Sequence, residues 1–133
     1  MENEKTYKIL VVDDEPDIRE TLKRKLEREG YAVVLAPSGE EALERVKDSD
    51  PDIILLDLML PGLNGFDVLK EVKEKFSDRW RPVIIVSGQQ DLETTRQAYQ
   101  READHYLTKP CGIDHVLEGI RTMVSLMPHK NTR

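Results

Sequence analysis

The chain is 133 residues long, 38% hydrophobic and 35% charged, with a formal net charge of −6, as expected of one soluble globular domain with a single core. The acidic balance argues against direct binding to a nucleic-acid backbone, which takes clustered Lys and Arg, and the strand-sized apolar runs are far short of the roughly 20 residues that span a bilayer. Met1-Glu2-Asn3-Glu4-Lys5 lacks a signal peptide's apolar stretch and Cys111 is the only cysteine, so the default compartment is the reducing cytoplasm, with no internal disulfide or Cys-based metal cluster.

In chain order, apolar runs of strand length alternate five times with segments of helical period, the pattern of a doubly wound α/β fold with a parallel sheet. Strands are predicted near 7–12, 32–36, 52–57, 82–87 and 104–108. The first helix follows Asp14, with Pro16 in its first turn and Gly30 placed to end it. The second opens at Ser38, where Glu41 three residues on gives a capping-box pattern ahead of Ala42, Leu43 and Val46. The third starts at Asn64 and turns Val68, Leu69, Val72 and Phe76 inward, and Pro82 marks the return to the fourth strand. The fourth, about 91–101, has a thin apolar face of Leu92, Ala98 and Tyr99, which makes it the candidate for a moving element. The fifth repeats Ile113, Val116, Leu117, Ile120, Val124 and Met127 at helical spacing. Residues 128–133 read as a polar tail or linker stub after a domain of residues 1–127.

Charged residues stand at the ends of these strands: Asp13 and Asp14 after the first, Asp57 after the third, Lys109 after the fifth. Ligands of open parallel sheets bind outside the carboxyl ends of the strands, so a sheet ordered 2-1-3-4-5 brings these charges together. Three carboxylates in one crevice repel one another unless a hard cation neutralises them, and Mg²⁺ suits one or two carboxylates plus phosphate oxygens and water. Asp57, held by the most apolar strand and followed by an open loop, is the candidate acceptor of a phosphoryl group. The backbone carbonyl of Met59 offers a further metal ligand. Ser87, ending the fourth strand, offers a hydroxyl to a phosphoryl oxygen, and Lys109 supplies the ammonium, paired with Asp57 at rest. Lys109-Pro110 is a candidate cis peptide.

With these residues in place the chain resembles the receiver domain of two-component response regulators. Asp13-Asp14, Asp57-Leu58-Met59-Leu60-Pro61 with Gly65 beyond, Ser87-Gly88, and Tyr106-Leu107-Thr108-Lys109-Pro110 carry the resemblance over nearly the whole length. It implies a flavodoxin-like (βα)5 fold and phosphorylation of Asp57 from a histidine kinase or histidine phosphotransfer protein. It further implies Mg²⁺ held by Asp14 and Asp57, with Asp13 acting through water, and a switch pair of Ser87 and Tyr106 that reshapes the surface of the fourth helix, fifth strand and fifth helix. By the same resemblance the domain is a signalling switch and not an enzyme, apart from phosphoryl transfer to its own Asp57 and its loss. Its downstream protein target is left unidentified, and a homodimer through the reshaped surface is a further expectation.

Departures from the family pattern are Glu102 in place of a usual glycine, His105 where an acidic residue is common, and Cys111 and Gly112 after the Lys-Pro pair. Gln89 and Met59 occupy positions that tune phosphoryl lifetime in the family. His105, His115 and His129 lack metal-ligand spacing and read as surface residues, and Trp80 is expected to cover the edge of the core. A competing reading, an aspartyl-phosphate phosphatase of the haloacid dehalogenase type, needs a second Asp two residues after the nucleophile, where Met59 stands. A flavin module would meet repulsion from Asp13-Asp14-Glu15 at its phosphate. The chain reads either as a stand-alone receiver or as a fragment of a larger regulator or hybrid kinase.

Overall fold

The runs KILVV, AVVLA, IILL and VIIVS are rich in β-branched residues and apolar on both faces, so each gains by being covered on both sides, which a parallel sheet flanked by helices provides. In the computed structural model, which describes residues 6–88 and 92–128, they form β1 (Lys8–Val12), β2 (Ala32–Ala36), β3 (Ile53–Leu56) and β4 (Val83–Ser87), joined by β5 (His105–Thr108). All pairings are parallel and the order is β2-β1-β3-β4-β5. The helices between and after them are α1 (Pro16–Arg28), α2 (Gly39–Ser49), α3 (Gly65–Lys75), α4 (Leu92–Gln100) and α5 (Ile113–Leu126). Strand boundaries fall within one residue of the predicted ones, the scatter expected at element ends.

Alternation along the strands divides the core in two. Leu10, Val12, Ile54, Leu56, Val83 and Ile85 face Ala42 and Val46 of α2, Val68, Leu69 and Val72 of α3, and Ala98 of α4. Ile9, Val11, Ile53, Leu55, Ile84 and Val86 face Leu26 of α1 and Val116, Leu117, Ile120 and Met123 of α5. Met123, which the predicted stripe of α5 omitted, is buried, while Val124 is only partly covered.

Helix ends follow local chemistry. Ser38 Oγ accepts the Glu41 N–H at 3.2 Å and Asn64 Oδ1 accepts that of Asp67 at 3.1 Å, so α2 and α3 are capped by side chains. Gly30, at φ +98°, follows the last turn of α1 in a conformation that glycine adopts without a Cβ penalty. Gly112 heads α5 without a side-chain cap. The α4 helix buries only Ala98, and Leu92 is 81% exposed, in keeping with its thin apolar stripe. Asp91, at the start of the predicted helix, lies outside the described residues.

Candidate functional site

The fully buried backbone of β3 delivers Asp57 to the carboxyl edge of the sheet, where its N–H still donates to Val12 O at 3.1 Å. This bond fixes Asp57 beside the end of β1 and therefore beside Asp13. Asp13 and Asp57 are 4% and 5% exposed, while Asp14 faces solvent. One carboxylate oxygen from each of Asp13, Asp14 and Asp57 lies within 4.8 Å of the others. An all-carboxylate oxygen set, two members buried and one open to water, suits a small hard cation that retains part of its hydration shell. Among the described residues this is the one group of three or more His, Cys, Asp or Glu side chains spaced to share a metal, so His105 and His115 form no such cluster; His129 lies outside the described residues.

Lys109, delivered by β5, joins the carboxylates. Its Nζ donates to Asp13 Oδ2 at 2.8 Å and to Asp57 Oδ2 at 3.0 Å, so it pairs with Asp13 as well as with Asp57. Burial alone pulls the ammonium's pKa down, but the hydrogen bonds from Asp13 and Asp57 and the charges of both carboxylates outweigh it, and the net shift is upward. Its backbone N–H donates to Ser87 O at 2.8 Å and the Lys109–Pro110 peptide is cis.

The loop after Asp57 is arranged around the same carboxylate. Met59 N–H donates to Asp57 Oδ1 at 2.9 Å, while the Met59 side chain is exposed. Gly65 has no room for a side chain, because a Cβ there would come within 2.5 Å of both Asp57 O and Leu58 Cα. A cleft of about 540 Å³ opens beside the site, bounded by Asp14, Met59, Pro61, Phe66 and Thr94 among others.

Ser87 is fully buried at the end of β4. It continues the alternation of Val83 and Ile85, on the sheet face that α3 and α4 cover, and Tyr106 packs partly buried against that same face. Gln89 lies outside the described residues. His105 is not the plain surface residue expected from its spacing: it is half-buried, and a Cβ on Gly119 of α5 would lie 3.2 Å from its Cδ2. Trp80 is partly exposed and joins neither core cluster; its Nε1 donates to Asp104 Oδ1 at 3.0 Å.

One contact has no signal in the sequence pattern. Arg19 sits on α1 among polar residues, yet its Nη1 donates to the backbone carbonyl of Asp13 at 2.7 Å. Only the folded path of the chain brings the two together.

Comparison with known proteins agrees with this arrangement. The family model described as the response regulator receiver domain matches residues 9–121. Response regulator RR06 of Streptococcus pneumoniae is 39% identical over 116 residues, 87% of this chain and 52% of the relative. The transcriptional regulatory protein ResD of Bacillus subtilis is 35% identical over 124 residues, 93% of this chain and 50% of the relative. The chain thus spans about half the length of these relatives. Among solved structures, the receiver domain of the Francisella response regulator 1452 has a TM-score of 0.84 at 32% identity, covering 90% of this chain and 98% of that one. The chemotaxis protein CheY4 of Vibrio cholerae has a TM-score of 0.83 at 26% identity, covering 89% and 98%.

Proposed function

The chain belongs to the response regulator receiver domain family of two-component signalling, and from that premise we propose that it is a phosphorylation-controlled switch in which Asp57 accepts a phosphoryl group. The observation that carries this reading is Lys109 Nζ lying within 3.0 Å of both Asp13 and Asp57 at the open edge of the sheet, with the Asp14 carboxylate in the same cluster. Asp57 Oδ attacks phosphorus, the P–N bond of a phosphohistidine donor breaks, and its electron pair leaves with the imidazole, which takes up a proton. Lys109 pairs with the developing charge of the phosphoryl oxygens, and the Ser87 hydroxyl donates to one of them. Asp14, Asp57 and the Met59 carbonyl would hold Mg²⁺, with Asp13 reaching it through water, and the ion would supply neutralisation of the phosphoryl charge.

The consequence is conformational. The acyl phosphate carries a charge of about −2 where the Asp57 carboxylate carried −1, so the site gains roughly one negative charge and three acceptor oxygens, and driving a two-state element from 1:99 to 99:1 takes about 5.5 kcal/mol of differential binding. In this reading Ser87 and Tyr106, which share one face of the sheet, transmit the change to α4, β5 and α5. The donor is a histidine kinase or histidine phosphotransfer protein, the product is a changed protein-binding surface, the work is done in the cytoplasm, and residues 1–127 form the receiver unit, with 128–133 a tail or linker. The family match gives no support to the haloacid dehalogenase-type reading, and Met59 occupies the position where that chemistry needs a second Asp. Acetyl phosphate with Mg²⁺ is expected to label the wild type and leave Asp57→Asn unlabelled, measured by intact mass or phosphate-affinity electrophoresis. Incorporation into the variant at the wild-type level would reject Asp57 as acceptor.

A further inference from the structure

We propose that Arg19 is a positioning residue for the paired carboxylates, orienting the peptide unit between Asp13 and Asp14 so that both side chains reach the cation and phosphoryl site. This rests on the reading of that site given above. Every polar atom of Asp13 is held. Its N–H donates to Ala36 O at 3.2 Å, its Oδ1 accepts the Glu15 N–H at 2.9 Å, its Oδ2 accepts Lys109 Nζ at 2.8 Å, and its carbonyl accepts Arg19 Nη1 at 2.7 Å. The first three bonds fix the Asp13 backbone nitrogen and carboxylate. Among the described residues only the fourth reaches the carbonyl, and the carbonyl's direction sets the plane from which Asp14 departs.

The loop needs such a restraint. Glu15, the N-cap of α1, makes no side-chain cap bond, and Pro16 follows it at the start of the helix. Asp14 is exposed, so packing does not hold it in place, and an ion-binding group displaced by an ångström loses much of its effect. Arg19 itself is half-buried on the first turns of α1, whose backbone is anchored by Arg19 N–H donating to Glu15 O at 3.1 Å. A planar guanidinium is always charged and directional, which suits it to orienting a carbonyl beside carboxylates.

The guanidinium has two effects on Mg²⁺ of opposite sign, and this makes the proposal testable. As a nearby positive charge it weakens cation binding; as an orienting donor it strengthens it. With orientation dominant, Arg19→Met, which keeps an apolar stem and removes the donors, weakens Mg²⁺ about tenfold, the low end for outer partners of metal ligands. Arg19→Lys, which retains a donor, recovers part of the loss. Calorimetric Mg²⁺ titration of the full chain reads the affinity directly. Acetyl phosphate labelling across Mg²⁺ concentrations is expected to show a raised half-saturating Mg²⁺ with the maximal rate largely kept, and unchanged thermal midpoints without Mg²⁺ show that the variants are folded. Equal or tighter Mg²⁺ binding by Arg19→Met would overturn the proposal, since charge removal alone gives that result. A wild type that binds Mg²⁺ but takes no label, with affinity still lost in Arg19→Met, would remove the phosphoacceptor reading and leave the role of Arg19 standing.

Discussion

Lys109 is the residue on which the resting site turns, because it is the ammonium in direct contact with two buried carboxylates. Its raised pKa is also a statement about stability. The pairing is fully present below the ordinary lysine value of 10.5 and is lost as pH rises through the higher folded value. The difference in urea midpoint between wild type and Lys109→Met is therefore expected to hold from neutral pH to about pH 10 and to shrink above it. A difference that stays constant to pH 11.5 would show that the stem, and not the charge, carries the contribution. Gly65 illustrates another residue-scale constraint: the backbone of Asp57 and Leu58 occupies the place of a Cβ, so the glycine in the resemblance reflects close approach of two chain segments.

At the scale of elements, α4 combines a single buried residue, Ala98, with a strained exit. Ala103 N–H donates to Ala98 O at 2.9 Å and Glu102 N–H to Tyr99 O at 3.0 Å, a closing turn that places Glu102 at φ +72°. Glycine is usual at this point of such a turn because a side chain there costs about 1–2 kcal/mol, which accounts physically for the glycine of the family pattern and makes Glu102 a costly departure from it. Glu102→Gly is expected to raise stability by about 0.5–1 kcal/mol, after allowing for glycine's greater freedom in the unfolded chain. A shifted urea midpoint at constant slope would register this, and a destabilised variant would mean that the Glu102 side chain makes a compensating contribution. Arg101 lies with its guanidinium carbon 5.0 Å from the centre of the Phe66 ring, so the end of α4 also rests on an aromatic wall of the cleft beside Asp14.

The whole molecule is organised around two poles. The carboxyl ends of the strands carry the candidate site, whereas the opposite end is tied by ion pairs. Arg79 bonds Asp50 at 2.9 Å and Asp52 at 3.0 Å, Arg81 bonds Asp50 and Asp78, and Asp52 also accepts the Lys8 N–H at 2.8 Å. The hydrogen bond from Arg79, followed by that from Arg81, holds the Asp50 carboxyl below the usual carboxylate range. This end braces the start of β3. Leu92 and Tyr99, seven residues apart on one side of α4, are both exposed, and they motivate the proposed homodimer through α4, β5 and α5. Sedimentation is expected to show a monomer alone and a dimer with beryllofluoride and Mg²⁺; a monomer in both would dismiss that surface as a self-contact. No helix among the described residues is long and apolar enough to cross a membrane.

The five strands, the sheet class and the residues at the strand ends were legible in the sequence, since buried parallel strands write themselves as apolar runs and a charge at the end of such a run is conspicuous. Asp57 and Lys109 could be named because their positions follow from strand order alone. Three features could not be read that way. Arg19 reaching the Asp13 carbonyl, the half-buried ring of His105 against Gly119, and the Asp50–Arg79–Arg81 network each depend on where a polar side chain ends and not on which face of its element is apolar. Periodicity reports which face of an element is covered. It does not encode where a long polar side chain ends, and that is decided only when the packed elements bring donor and acceptor within reach.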